Sequence, residues 1–177
     1  MDKKNYEIIL SGVGGQGLIS SGEILGNAAS NYENKFATMT TSYGVSARGG
    51  VSKSDLLISD NFVPFFEALD PDLILVLDNK AYPEIKEKIS DDTIVIINTN
   101  EVNDYDANLG KVFAFPLSEI AYELGSLLTL NIIALSIITA KTKIVSKEAL
   151  IKSVKNKYSS EKAVKLNMKA IEKGFSL

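Results

Sequence analysis

Short apolar runs alternate with longer segments of helical composition along most of the chain. Runs that are continuously apolar or rich in β-branched residues predict strands, because such side chains pack well on a buried or half-buried sheet. They lie at residues 8–10, 35–41, 51–59, 72–78, 93–98 and 112–115. Amphipathic or capped segments predict helices at residues 18–32, 79–89, 117–124, 147–157 and 161–173. Segment 62–69 predicts a short helix or an irregular stretch.

The alternation of strands and helices is typical of an α/β fold with a mainly parallel sheet. We therefore expect a three-layer Rossmann-like domain in which helices flank the sheet. No linker or internal repeat divides the chain, so residues 1–177 are expected to form a single domain. The strand candidates 35–41 and 51–59 are joined by a loop without a helix, which predicts an antiparallel element or an excursion there.

Run 124–140 is the most hydrophobic part of the chain. A membrane span is one interpretation, but the run is shorter than the roughly 18–20 apolar residues that a bilayer requires. Polar residues also interrupt it, namely Ser126, Thr129, Asn131, Ser136 and Thr139. The pattern therefore favours a buried or interface helix. Beyond this run, Ser146 and Ser160 are predicted N-caps of the last two helices, and Gly174 is predicted to end the final helix.

A glycine-rich loop follows the first strand, with the sequence Gly12-Val-Gly-Gly-Gln-Gly17. A loop between a strand and a helix N-terminus presents unpaired backbone N–H groups, and the helix dipole there favours an anion. Glycines allow the sharp turn and the close approach of a ligand or another chain. Gly12, Gly14 and Gly17 also satisfy the G-x-G-x-x-G spacing of dinucleotide-binding folds.

Two interpretations of the glycine-rich loop can be considered without a second sequence motif. A dinucleotide oxidoreductase would carry an acid at the end of the second strand to bind the ribose hydroxyls. Here that strand ends in Met39-Thr40-Thr41-Ser42, and Glu33 precedes it, so the acid position is empty. Alternatively, the glycines only permit close packing of strand and helix, in a non-catalytic structural or interaction domain.

The composition excludes several kinds of catalytic centre. The chain has no Cys and no His, so it lacks thiolate ligands for Fe–S clusters, the usual zinc ligands, a Cys nucleophile and a His general base. Any catalysis is therefore expected to depend on cofactors or partner chains. Arg48 is the only arginine among 19 basic residues, and its planar fork suggests a specific anion contact that Lys does not reproduce.

The net charge of −3 argues against nucleic-acid or anionic-membrane binding. No apolar run follows the N-terminal Met1-Asp-Lys-Lys-Asn, as a signal peptide would require, so a cytoplasmic location is expected.

A second motif, Ser42-Tyr-Gly-Val-Ser-Ala-Arg-Gly-Gly50, follows the second strand candidate. Together with the glycine loop, and with Pro71-Asp72 opening a buried strand, it resembles the gamma subunit of 2-oxoacid:ferredoxin oxidoreductases. The resemblance extends over the whole chain, because the following residues also fit the pattern of that family: Asn131, Asn167, Ala170 and Gly174. One departure is Val45-Ser46, where family members often carry Glu at the second position, so no acidic contact is assumed there.

The resemblance implies a CoA-dependent oxidative decarboxylation of a 2-oxoacid to an acyl-CoA and CO2, with two electrons passed to ferredoxin. It implies that thiamine diphosphate is held by alpha and beta subunits and Fe–S clusters by other chains or domains, with a delta subunit as a further candidate partner. This chain would be inactive alone and would bind none of these cofactors itself. Among substrates, 2-oxoglutarate is expected first, then pyruvate or a branched-chain 2-oxoacid; indolepyruvate enzymes have a similar subunit.

Both loops are expected at one edge of the sheet, where ligands bind outside the carboxyl ends of strands. There they would line the approach of CoA or contact a partner chain. Tyr43 is interpreted either as an aromatic anchor at a subunit seam or as a core tyrosine. Phe62, Phe65 and Phe66 are candidates for buried subunit contacts, with ordinary core packing as the favoured interpretation for most of them. The candidate binding residues are Gly12, Gly14, Gly15, Gln16, Gly17, Ser42, Tyr43, Gly44, Arg48, Gly49 and Gly50.

Overall fold

A computed structural model describes residues 5–43, 50–64 and 67–177 and contains one six-stranded sheet. The strands are β1 Asn5–Val13, β2 Phe36–Tyr43, β3 Val51–Ser59, β4 Leu73–Val76, β5 Ile94–Asn98 and β6 Lys111–Phe115. They are arranged in the order β2-β3-β1-β4-β5-β6. Five strands run in one direction, and β3 is antiparallel to both of its neighbours. The predicted antiparallel element is thereby confirmed.

Six α-helices within the described residues cover the sheet unequally. They are α1 Leu18–Glu33, α2 Tyr82–Ile85, α3 Leu117–Glu123, α4 Leu130–Thr142, α5 Lys147–Lys157 and α6 Glu161–Phe175. All except α2 pack on one face of the sheet, where they share a large apolar core with alternate strand residues. The opposite face is covered by α2 and by irregular segments that contribute Ala68 and Val102. The result is the expected three-layer α/β arrangement.

The helix predicted over residues 79–89 is wrong in extent. Residues 79–81 form a turn, in which the backbone N–H of Lys80 donates to Oδ1 of Asp78 at 2.9 Å. The helix α2 then begins at Tyr82-Pro83, because proline lacks an N–H and fits only the first turn of a helix. After one turn it continues as the 3-10 helix Lys86–Lys88. A charged, amphipathic pattern alone did not reveal this interruption.

The apolar run 124–140 is confirmed as buried helix over most of its length, but it is not one continuous element. Gly125 has a φ of 101°, and the short 3-10 helix Leu127–Thr129 follows before α4 begins. Every residue of α4 from Leu130 to Thr139 is buried. Among the described residues, no helix combines the length and the apolar character needed to cross a bilayer.

Gly174 does not end the last helix as predicted, since α6 continues to Phe175. Instead it lets α6 lie against α4. A Cβ at this position would be 2.5 Å from Cβ of Ser136 and 2.7 Å from the carbonyl oxygen of Ile133. Ser146 is a true N-cap, because its Oγ accepts from the N–H of Ala149 at 3.1 Å. Ser160 occupies the N-cap position of α6 without a side-chain hydrogen bond.

Candidate functional site

The glycine loop forms a tight turn between β1 and α1. The N–H of Gln16 donates to the carbonyl oxygen of Val13 at 3.3 Å, which closes the turn. Gly15 and Gly17 have φ angles of 94° and 76°, a conformation that is strained for residues with a side chain. The predicted arrangement of strand, turn and helix N-terminus is therefore present.

Gln16 has a structural role that its sequence position did not reveal. Its Oε1 accepts from the N–H of Val13 at 2.9 Å, and its Nε2 donates to the carbonyl oxygen of Leu77 at 3.3 Å. A Cβ on Gly12 would collide with Oε1, so this glycine makes room for the inward amide. Each polar atom of the Gln16 amide is thus already bonded to backbone, and a contact of this side chain to a ligand stays a prediction.

A cavity of about 390 Å³ opens beside this loop, on the face of the sheet that carries five helices. Gly15, Gln16 and Gly17 form one wall, and α6 with the segment preceding α4 forms the wall across from them. Most of the lining is apolar. Polar side chains are contributed by Ser20, Glu101, Ser118, Ser126, Thr129, Asn131, Tyr158 and Asn167.

The N-terminus of α1 offers free donors to this cavity. The first backbone bond of the helix runs from the N–H of Ser21 to the carbonyl oxygen of Gly17, so the three preceding N–H groups have no acceptor within the helix. No side chain caps them. The N-terminus of α3, at the same edge, is satisfied: Asn98 accepts from the N–H of Ser118 and Asn100 from that of Glu119. Of these two helix N-termini, the one at the glycine loop has the donors that favour an anion.

Two asparagines, one on α4 and one on α6, add polar groups to the apolar lining. Asn131 and Asn167 are only 6% and 5% exposed. Within the part of the chain that the structure describes, Oδ1 of Asn131 is buried without a hydrogen-bond partner. An unpartnered buried carbonyl costs free energy, and Asn131 is one of the residues that line the cavity.

The Asn131 side chain also packs directly on the glycine loop. A Cβ added to Gly17 would lie 2.9 Å from its Nδ2. Asn167 is identified from the sequence only by its fit to a family pattern, and Asn131 by this fit and as a polar interruption of the apolar run; neither residue is predicted from the sequence to line a cavity. The available signal was an amide side chain inside the most apolar run, since a polar group there must be hydrogen-bonded or functional.

Ser42 and Tyr43, the described start of the second motif, share the sheet edge with the glycine loop, as expected, but they line a different cavity. In the strand register Val13 is opposite Val51, and Tyr43 is opposite Ser52. Ser42 and Tyr43 line another cavity, of about 260 Å³, together with Ser11 and Lys53. Because β3 lies between β1 and β2, the ends of these two strands are about 10 Å apart.

The predictions for individual residues of the second motif differ in how they compare with the structure. Tyr43 is 63% exposed, so the interpretation as a core tyrosine is wrong, and its role as a seam anchor stays a prediction. Gly50 is half-buried beside β3. Gly44, Arg48 and Gly49, like Phe65 and Phe66, lie outside the described residues. Phe62 is largely exposed and packs edge-to-face on Phe36, with ring centroids 6.1 Å apart.

The topology also bears on the dinucleotide interpretation. In a dinucleotide-binding fold the ribose-binding acid is at the end of the parallel strand next to the first one. Here the neighbour of β1 on that side is the antiparallel β3, and β2 is displaced to the sheet edge. No cluster of His, Cys, Asp or Glu that fits a metal ion occurs in residues 5–43, 50–64 and 67–177.

A comparison with models of protein families finds one family whose match includes both loops. The model of the family described as pyruvate ferredoxin/flavodoxin oxidoreductase matches residues 7–177. The chain belongs to this family. The resemblance that rested on the two glycine-rich motifs is thereby confirmed, and it extends through α6, which carries Asn167 and Gly174.

Two proteins with a known name or structure are similar to this chain over nearly their full length. The 2-oxoglutarate synthase subunit KorC of Methanocaldococcus jannaschii is 38% identical, over 99% of this chain and 95% of that protein. The crystal structure of the keto/oxoacid ferredoxin oxidoreductase gamma subunit from Geobacter sulfurreducens superimposes with a TM-score of 0.88 at 35% identity, over 98% of this chain and 96% of that one.

A larger enzyme contains the same fold as one part. The 2-oxoglutarate:ferredoxin oxidoreductase from Magnetococcus marinus, solved with 2-oxoglutarate, coenzyme A and succinyl-CoA bound, matches with a TM-score of 0.86 at 24% identity. The match covers 99% of this chain but 31% of that one. At this identity the likeness establishes the fold alone, within a much longer polypeptide.

Proposed function

We propose that this chain is the gamma-type subunit of a 2-oxoglutarate:ferredoxin oxidoreductase and that it forms one wall of the CoA-binding site. The observation that carries the proposal is the cavity in which the uncapped N-terminus of α1 meets the unpartnered carbonyl of Asn131. The similarity to a 2-oxoglutarate synthase subunit favours 2-oxoglutarate as the substrate.

The two kinds of free hydrogen-bonding group in the cavity match the two halves of CoA. Its diphosphate is an acceptor-only anion, which suits the backbone N–H groups at the start of α1. Its pantetheine arm carries amide N–H groups, one of which would donate to Oδ1 of Asn131. A nicotinamide dinucleotide would satisfy the first set of groups but offers no long amide-bearing arm for the second.

The reaction itself requires groups that this chain lacks. Conversion of 2-oxoglutarate and CoA to succinyl-CoA and CO2 releases two electrons, which would reduce two one-electron ferredoxin carriers. With no Cys in its sequence, the chain has no thiolate to ligate an Fe–S cluster. Thiamine diphosphate would be held by alpha and beta subunits and would supply decarboxylation. The clusters would be held by other partner chains or domains, with a delta subunit as a further candidate partner, and would supply electron transfer.

The second motif is proposed to complete the approach to this site from the neighbouring strands. Ser42 and Tyr43 are at the same sheet edge as the glycine loop, and Tyr43 is exposed as an interface anchor would be. Arg48 would pair with an anionic group of CoA or of a partner subunit at that edge. A shielded charge-assisted pair of this kind is worth about 1.5–3 kcal/mol.

The test is reconstitution. The chain is produced together with candidate alpha and beta subunits, and CoA-dependent reduction of a viologen dye is followed with 2-oxoglutarate, pyruvate and 2-oxoisovalerate. We expect turnover with 2-oxoglutarate that disappears when this chain or CoA is omitted. Turnover with pyruvate alone would correct the substrate, and failure to associate with the other subunits would overturn the proposal.

The alternative of a nicotinamide dinucleotide site is tested on the isolated chain. Thermal unfolding is recorded with CoA and with NAD at equal concentrations. Stabilisation by CoA is expected, since a ligand that binds only the folded state raises the unfolding temperature. Stabilisation by NAD without an effect of CoA would favour a dehydrogenase.

A further inference from the structure

The cavity of about 260 Å³ that Ser42 and Tyr43 line opens on the face of the sheet that carries α2. Residues of β1, β2 and β3 line one side of it, and α2 with the 3-10 helix that follows lines the other side. Pockets for drug-sized ligands usually measure about 300–1,000 Å³. This cavity is therefore suited to a smaller molecule.

Three polar residues follow one another across the sheet inside this cavity. Lys53 is opposite Ser11 in the register of β3 with β1, and opposite Ser42 in the register of β3 with β2. Residues that are directly opposite each other point to the same face, with Cβ atoms about 4.5–5.5 Å apart. All three residues line the cavity, so one ammonium-bearing side chain is flanked by two hydroxyl-bearing ones.

The innermost member of this row, Ser11, has an unused hydroxyl. Its side chain is fully buried. Within residues 5–43, 50–64 and 67–177, its Oγ has no hydrogen-bond partner. Leaving a hydroxyl in this state costs free energy, because water is excluded and no protein group replaces it. The Ser11 hydroxyl is thus available, as a donor or an acceptor, to a molecule that enters the cavity.

The ammonium group of Lys53 is held in place by a buried carboxylate. Its Nζ lies 2.9 Å from Oδ2 of Asp55, and the two side chains are 21% and 3% exposed. Asp55 does not line the cavity, so it holds the lysine from behind. An ammonium group has three N–H donors, and this contact needs only one. The second lysine of the lining, Lys88, instead donates to the carbonyl oxygen of Ala68 at 2.6 Å.

The rest of the lining combines apolar surface with one acid. Val51 and Ile85 contribute apolar side chains, and both belong to the core on this face of the sheet. Glu84 lines the cavity at an exposed position of α2. A carboxylate there repels an anion in proportion to the charge of that anion, so it disfavours a dianion such as phosphate more than a monoanion.

We propose that this cavity binds a small monocarboxylate with a short apolar chain. The carboxylate accepts from Oγ of Ser11 and from Nζ of Lys53, and the chain lies against Val51 and Ile85. A carboxylate suits these donors because it is acceptor-only and forms charge-assisted hydrogen bonds. The proposed CoA cavity lies on the other face of the sheet, so either site can fail its test without affecting the other.

The test is thermal unfolding of the full chain in dilute solution with three probes at matched ionic strength. They are butyrate, its uncharged isostere butyramide, and inorganic phosphate. A ligand of the folded state raises the unfolding temperature. Butyrate should raise it by about 2–4 °C at roughly five times its dissociation constant. Butyramide and phosphate should have less than about half of this effect at the same concentration.

Two variants locate the effect. Ser11→Ala removes a buried hydroxyl without a partner, so the chain should remain folded while butyrate binds about tenfold more weakly. K53Q/D55N removes the ion pair as a whole, which leaves no unpaired buried charge, and should abolish stabilisation by butyrate. The matched control is Lys86→Gln, at an exposed position beside α2 that does not line the cavity, and it should bind butyrate normally.

Several results would overturn the proposal. Equal stabilisation by butyramide would show an apolar cavity that does not recognise the carboxylate, and a larger effect of phosphate would assign another class of anion. An unchanged butyrate effect in Ser11→Ala would place binding elsewhere, and this variant decides the matter even if K53Q/D55N does not fold. Loss of butyrate binding in the complex with alpha and beta subunits would assign the cavity to a partner's side chain.

Discussion

At the scale of single residues, the contact between Gly17 and Asn131 joins two parts of the chain that the sequence separates widely. The glycine supplies a left-handed turn and leaves space for the amide, and the amide in turn lines the cavity. The residues depend on each other because a Cβ at position 17 would lie 2.9 Å from Nδ2 of Asn131.

Substitution of this glycine provides the first prediction. Gly17→Ala should lower the free energy of unfolding by about 1–3 kcal/mol, because its φ is 76° and the new Cβ would be 2.9 Å from Nδ2 of Asn131. Gly14→Ala is the matched control, since nothing lies within 4 Å of its Cβ position. Urea unfolding of both variants makes the comparison, and equal stability would contradict the packing described.

Substitution of Asn131 is expected to act in opposite directions on the stability of the chain and on its affinity for CoA. Asn131→Leu removes a buried carbonyl without a partner, so the ligand-free chain should keep or slightly gain stability. CoA binding should weaken about tenfold, because the acceptor for its amide N–H is lost. Thermal unfolding with and without CoA measures both quantities. A variant that is destabilised but binds CoA normally would show that Asn131 serves the fold instead.

The limits of the sequence as a guide are visible at the same scale. The left-handed glycines of the loop were predictable, because strand, turn and helix adjoin along the chain. The inward amide of Gln16 was not, since its acceptor is the carbonyl oxygen of Leu77, 61 residues away. The cavity asparagines belong to the same class: their meeting with the loop depends on how α4 and α6 pack.

At the scale of elements, the sequence predicts where a strand or helix lies better than it predicts whether that element is continuous. The strand predicted over residues 51–59 coincides with β3, because its pattern is long and its turn signals lie at both ends. The helix predicted over 79–89 failed at Pro83, and the apolar run 124–140 is interrupted after Gly125. Local breaks override periodicity when proline removes a donor or glycine reverses φ.

The pairing of α6 with α4 leads to a prediction in which two physical effects oppose each other. Helix propensity alone would make Gly174→Ala stabilising by about 1 kcal/mol. The close approach to Ser136 and to the carbonyl oxygen of Ile133 should reverse the sign and destabilise the chain by about 1–3 kcal/mol. Lys169→Ala, at an exposed position of the same helix, should be nearly neutral. Denaturant unfolding decides the sign.

At the scale of the whole molecule, the sheet order assigns the glycine loop and the described start of the second motif, Ser42 and Tyr43, to one edge but to different cavities. The antiparallel β3 separates the ends of β1 and β2, so Ser42 and Tyr43 are neighbours of the glycine loop across the sheet and line a separate cavity. Sequence reasoning recovered the shared edge from the direction of parallel strands. It did not recover the separation, because the identity of the strand between them depends on long-range pairing.

The position of β2 has a consequence for handling the protein. This outer strand has eight residues, none of them charged or proline, and it pairs with β3 without a bulge. Natural sheets usually protect such edges with lysine, proline or irregularity, because bare edges recruit strands from other molecules. The isolated chain is therefore expected to aggregate when it is concentrated. Production together with its partner subunits is expected to prevent this aggregation.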